Sequence, residues 1–102
     1  MKRLEIVVES DRLDAFVAVV ERHATGYSVV PGLTGVGEHG RHQGDLALLV
    51  TVVTSEHLES IIDTVLPMLN ARPNIVTISD VYVLRSEHFI PEVRAAEMQK
   101  PV

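Results

Sequence analysis

Apolar and polar residues alternate across Lys2–Glu9, with Leu4, Ile6 and Val8 on one side and Glu5, Val7 and Glu9 on the other. That period of two predicts a strand with one clearly apolar face. The period then changes, and Leu13, Phe16, Val17, Val20 and Ala24 line one side of a helix. Ser10 is placed to cap this helix, Asp11 suits its first turn, and Gly26 is placed to end it in a left-handed conformation. Tyr27–Pro31 predicts a second strand that runs into a glycine-rich loop, Gly32–Gly44. Asp45–Val53, DLALLVTVV, predicts a third strand, apolar on both faces. Thr54 or Ser55 then caps a second helix whose buried stripe is Leu58, Ile61, Ile62, Val65 and Leu69. Pro67 interrupts the stripe and should kink or end the helix early. Arg72-Pro73-Asn74 reads as a turn and Ile75–Leu84 as a long fourth strand.

The element order is β-α-β-β-α-β. Right-handed crossing of each β-α-β half gives a four-stranded antiparallel sheet with both helices on one face, the α+β ferredoxin-like plait. Residues 1–88 are expected to form this domain and residues 89–102 a C-terminal tail, either a short helix over Pro91–Gln99 or frayed. The helices leave the opposite sheet face uncovered. Val7, Ala47, Leu49 and Val53, with part of the fourth strand, are expected to point there. An apolar face of that size marks an interface and predicts a homo-oligomer whose sheets pack together.

Composition narrows the function classes. The chain has 102 residues, enough for one core, and carries 14 acidic against 9 basic residues for a net charge of −5. No basic cluster is available to neutralise phosphates of a nucleic acid, and with two Tyr, two Phe and no Trp the stacking surface is poor. No apolar run is long enough to span a bilayer, and MKRLEIVVES reads as a strand rather than a leader. The absence of cysteine excludes disulfides, thiolate metal sites and a thiol nucleophile, and is compatible with a reducing cytoplasm.

The chemistry concentrates in GLTGVGEHGRHQG, Gly32–Gly44, which packs glycines with two histidines, an arginine and a glutamine. Glycine lets backbone approach a ligand closely, and consecutive free N–H groups make an anion-binding nest. Gly35 and Gly37 are the candidates for that nest and Arg41 for an anion contact; a plain turn between strands is the alternative. Arg85 ends an otherwise apolar strand, where it could serve the site or simply snorkel. Arg72 reads as a turn charge near a helix C-terminus. Tyr27 reads as a core aromatic with a satisfied hydroxyl, and Glu5 and Glu9 as edge or interface charges. His39 and His42, with Glu38, Asp45 and His88, could converge on a metal, but no recognised zinc spacing is present. His23 and His57 read as surface residues on the helices. No catalytic triad, carboxylate pair or nucleophile motif is defensible, so an enzyme is not expected.

Gly35-Val36-Gly37, followed by Arg41-His42-Gln43-Gly44, resembles the GxG and R-Q-x-G-like stretches at the base of the T-loop in the PII signalling superfamily. Together with element order and spacing over nearly all of residues 1–90, the chain is most similar to the PII-like branch. The resemblance implies a homotrimer with adenine nucleotides in clefts between subunits, sensing metabolic state and acting on a protein partner without turnover. It implies nucleotide contacts at Gly35, Val36, Gly37, Arg41, Gln43 and Arg85, with Val36 or Leu33 against the base. It further implies a small anion, bicarbonate, at Arg41, His39, His42 or Arg72, and a regulated transporter or enzyme as partner.

Three departures refine that expectation. The T-loop is short and has no tyrosine, which argues against uridylylation and 2-oxoglutarate sensing. The turn Asn70-Ala71-Arg72-Pro73-Asn74 lacks the glycines and lysine of the family's B-loop, and the paired arginines after the last strand are reduced to Arg85. A buried phosphate needs paired donors or cations, so a site with so few predicts that ADP or AMP competes well with ATP. The alternative function is a metal-responsive trimer similar to the cation-tolerance proteins, binding zinc or copper through His39 and His42. A small cofactor-free isomerase or oxygenase ranks third.

Overall fold

A computed structural model of the chain describes residues 1–38, 40–69 and 74–85. Strands β1 (Lys2–Glu9), β2 (Ser28–Gly37), β3 (Gly40–Val53) and β4 (Asn74–Asp80) form one sheet in the order β2-β3-β1-β4. All its pairings are antiparallel. Helices α1 (Leu13–Glu21) and α2 (Ser55–Val65) pack on the same face, as the plait requires. Phe16, Val19 and Val20 of α1 and Leu58, Ile61 and Val65 of α2 meet Leu4, Ile6, Val8, Leu49 and Val53 in one core. Each fully buried side chain of this kind contributes about 1.5–3 kcal/mol relative to exposure.

The helix ends follow local chemistry. The Thr54 hydroxyl accepts from the His57 backbone N–H at 3.3 Å and caps α2. Pro67 ends it, as expected: α2 stops at Val65 and the chain passes into a 3-10 turn, Leu66–Met68. At the start of α1 the expectation fails. Ser10 opens a 3-10 turn, Ser10–Arg12, and neither turn nor helix has a side-chain cap. Arg12 instead donates to the Met68 carbonyl at 2.7 Å and lies over the Phe16 ring, tying the start of α1 to the end of α2. Nor does Gly26 end α1, which stops at Glu21 and unwinds through N–H bonds from Arg22 and His23 to the third carbonyl back. The Gly26 carbonyl accepts from the Thr51 hydroxyl at 2.7 Å and so satisfies a buried polar side chain. Tyr27 is 40% exposed rather than in the core, although its hydroxyl is satisfied by Glu21 at 2.7 Å.

Register corrects the assignment of sheet faces. Leu4, Ile6 and Val8 sit opposite Thr51, Leu49 and Ala47, which places Ala47, Leu49 and Val53 on the helix side. The open face carries Val7 as expected, with Leu48, Val50 and Val52 of β3 and Ile75 of β4. A strand apolar on both sides leaves an apolar stripe on the open face whichever parity faces the helices, here beside Arg3 and Glu5 of β1 and Thr77 and Ser79 of β4. Glu5 and Glu9 are likewise on the open face, but of a central strand and not an edge. Strand β4 ends at Asp80, so Leu84 and Arg85 lie beyond it.

The largest correction concerns Gly32–Gly44, which is a hairpin and not a loop. Strand β1 covers β3 only from Leu46 to Val53, so Leu33–Gly37 and the start of β3 pair only with each other as a two-stranded arm. Gly32 (φ 70°) and Gly44 (φ 72°) are left-handed at the two breaks in register. Each is where a bulge bends the ribbon, a conformation side chains resist. The glycines thus bend strands here; the sequence signal that resembles a loop is the signal of a bulged arm.

Candidate functional site

The arm presents two unlike faces. Gly35 pairs with His42, Val36 with Arg41 and Gly37 with Gly40. Since neighbours across a ladder share a face, Val36 and Arg41 stand together on one side. The other side carries three glycines and the His42 ring, leaving backbone open to a ligand. A Cβ on Gly37 would meet nothing within 4 Å, whereas one on Gly35 would touch the Leu46 side chain at 3.3 Å. Val36 is 75% exposed, an apolar side chain standing beside the Arg41 charge. Arg41 and Gln43 are exposed, and Leu33 is half-buried opposite Leu46. Gly35 and Gly37 are extended, without the left-handed twist that gathers successive N–H groups, so an anion over this strip would meet strand backbone, with Arg41 on the opposite face of the ribbon.

At the root of the arm three side chains converge. One ligating atom from each of Glu9, His42 and Asp45 lies within 4.8 Å of the other two. His42 Nδ1 is 2.9 Å from Asp45 Oδ2, and that hydrogen bond, more than any other influence, holds the Asp45 carboxyl below its ordinary pKa. The bulge makes this contact possible. Gly44 donates its N–H to the Thr34 hydroxyl at 3.0 Å, turning Asp45 back toward His42. Glu9 arrives from β1, whose last pair is Glu9 with Leu46. Sequence reasoning placed His42 and Asp45 together but missed Glu9, because its approach depends on the β1–β3 register.

Arg85 belongs elsewhere in the subunit. The arm rises from the Glu9 end of the sheet, whereas β4 ends beside Lys2, where Val81 donates to the Met1 carbonyl at 3.1 Å. Arg85 (φ 58°) follows in a turn, at the opposite end and outer edge from the arm. Within one chain, the strand that leads to Arg85 ends away from Arg41 and Gln43. His39, Arg72, His88 and residues 89–102 lie outside the described residues. His23 and His57, half-buried on the helices, stack at a tilt with ring centroids 6.3 Å apart. Among the described residues, no helix is long and apolar enough to cross a membrane.

The family model for nitrogen regulatory protein P-II matches residues 1–88. No curated protein matches the chain in sequence. Among solved structures, CPII from Thiomonas intermedia K12, a protein bound there to ADP and bicarbonate, superposes with a TM-score of 0.81 at 26% identity. That match covers 86% of this chain and 92% of CPII. A second CPII structure, bound to ADP, AMP and acetate, gives a TM-score of 0.78 at 25% identity over 87% of this chain and 93% of that one. A chain described as a PII-like signaling protein, from Thermus thermophilus, gives 0.73 at 27% identity over 87% and 94% of the two chains.

Proposed function

This chain belongs to the nitrogen regulatory P-II family, and from that premise we propose that it is a PII-like regulator that binds ADP or AMP and signals to a protein partner without turnover. The arm carries this reading: a side-chain-free strip of backbone at Gly35 and Gly37 lies back to back with the Val36–Arg41 pair. Adenine needs an apolar contact and phosphate a cation, which Val36 and Arg41 offer on one face, while the glycines on the other let a ligand approach the backbone closely. CPII, of similar fold, is bound to ADP with bicarbonate, and to ADP and AMP with acetate, which supports an adenylate with a small anion beside it. In this chain Arg41 is the group for that anion, because His42 is directed to carboxylates.

The acting form is a homotrimer. The apolar open face of Val7, Leu48, Val50, Val52 and Ile75 supports burial between copies, as does the distance between arm and Arg85 within one chain. A site of Gly35, Val36, Gly37, Arg41 and Gln43 from one subunit gains Arg85 only from a neighbour. Two arginines satisfy fewer phosphates than a lysine-rich cradle, which favours ADP and AMP over ATP. An isolated two-stranded ribbon is marginal in water, so a ligand that binds only its ordered form shifts the arm toward order and changes the surface that this cytoplasmic protein shows to a partner, a transporter or an enzyme. Isothermal titration with AMP, ADP and ATP, with and without bicarbonate, tests this. Micromolar binding of ADP or AMP is expected, weakened in Arg41→Ala with the trimer intact; no heat from any adenylate overturns the reading.

A further inference from the structure

The geometry points to a second site, which we propose: Glu9, His42 and Asp45 bind a divalent first-row transition-metal ion at the root of the arm. Three features carry it. The ligand set is mixed, an imidazole with two carboxylates, and the nitrogen donor favours ions such as zinc over the hard cations that all-oxygen sites select. Glu9 comes from β1 and His42 and Asp45 from β3, and the three are brought within 4.8 Å of one another by the β1–β3 pairing and the Gly44 bulge. The third is reach. Ligands about 2.0–2.2 Å from a tetrahedral zinc stand roughly 3.3–3.6 Å apart. The 4.8 Å limit closes to that spacing by rotation of side chains, since Asp45 is 53% exposed and Glu9 only half-buried.

The His42–Asp45 hydrogen bond keeps the two nearest donors facing each other, and a metal would take the place of the shared proton. Three protein ligands leave a coordination position open to an outside oxygen. Binding would also cross-link the end of β1 to the arm, which beyond Leu46 is otherwise paired only with itself. The site uses none of the groups assigned to the nucleotide and does not rest on that reading.

The test is titration of the full chain with zinc chloride in the absence of nucleotide, beside Glu9→Gln, Asp45→Asn, His42→Ala and the control His23→Gln/His57→Gln. The wild-type chain should bind zinc. Loss of an outer-shell partner alone costs roughly 10–100-fold in affinity, so each of the three ligand substitutions should weaken zinc at least that much. The control should bind as wild type does. Glu9→Gln and Asp45→Asn are isosteric and keep the test open even if His42→Ala fails to fold, which circular dichroism reports. No zinc binding by the wild type, wild-type affinity in Glu9→Gln and Asp45→Asn, or loss in the helix-histidine control overturns the proposal. Zinc binding with these losses in a chain that ignores adenylates would leave this site standing and remove the nucleotide reading alone.

Discussion

Gly37→Ala separates what the arm needs for folding from what it needs for a ligand. Gly37 is extended, pairs with Gly40, and a Cβ built on it meets nothing within 4 Å. The substitution therefore costs no contact and strains no backbone. It removes conformational freedom from the unfolded chain, which at a compatible position stabilises by about 0.4–1 kcal/mol. For a domain of this size that corresponds to a rise in Tm of roughly 2–8 °C. The upper part of that range requires the arm to melt with the core; if it opens first, the gain appears as slower hydrogen exchange in the arm. Nucleotide binding should move the other way, because the new methyl stands on the bare backbone strip where a ligand would lie. Thermal melts and ADP titration on the same preparation read both quantities. A rise in Tm with at least tenfold weaker ADP, or about 1.4 kcal/mol, is expected. Undiminished ADP affinity would refute the strip as a binding surface, and a fall in Tm would refute the geometry of the arm itself.

Other consequences follow from the fold. Gly44→Ala should behave oppositely to Gly37→Ala, because Gly44 is left-handed (φ 72°) and a side chain there costs roughly 1–2 kcal/mol, seen as a lower Tm. Ile61→Ala, at a fully buried position between helix and sheet, should lose about 2–5 kcal/mol in urea unfolding; a loss below about 1 kcal/mol would mean α2 is not seated as described. Val50→Asp, on the open face, should dissociate the proposed trimer without unfolding the chain, as read by sedimentation equilibrium. Lys2 hydrogen-bonds Asp80 and holds its carboxyl below the ordinary value. That pairing therefore favours the folded state above the ordinary carboxyl pKa and is lost as pH falls through the depressed one. Carbon-detected NMR titration should find the depressed pKa in the wild type and its return toward normal in Lys2→Met.

The alternation in Lys2–Glu9, the helical stripes through Val20 and Val65, the Thr54 cap and the stop at Pro67 are local, and each is legible in the chain because neighbouring residues decide it. They suffice for element order, and order with right-handed crossing suffices for the plait and for a sheet open on one side. The resemblance carried by Gly35-Val36-Gly37 and Arg41-His42-Gln43-Gly44 led to the family that the match over residues 1–88 shows. What local reasoning misread were places where two conformations compete closely. Glycine lowers the preference for a strand and raises it for a turn, so Gly32–Gly44 reads as a loop; cross-strand pairing decided for a ribbon, and the left-handed freedom was spent on its bulges. A strand apolar on both sides carries no mark of which parity meets the helices, and only its register with Leu4, Ile6 and Val8 assigned Leu49 to the core and Val50 to the open face. The same register brought Glu9 beside His42 and Asp45 and set Arg85 at the far end of the sheet. Those are contacts between residues distant in sequence, and their free energy belongs to the pairing of whole strands, which no single segment of the chain contains.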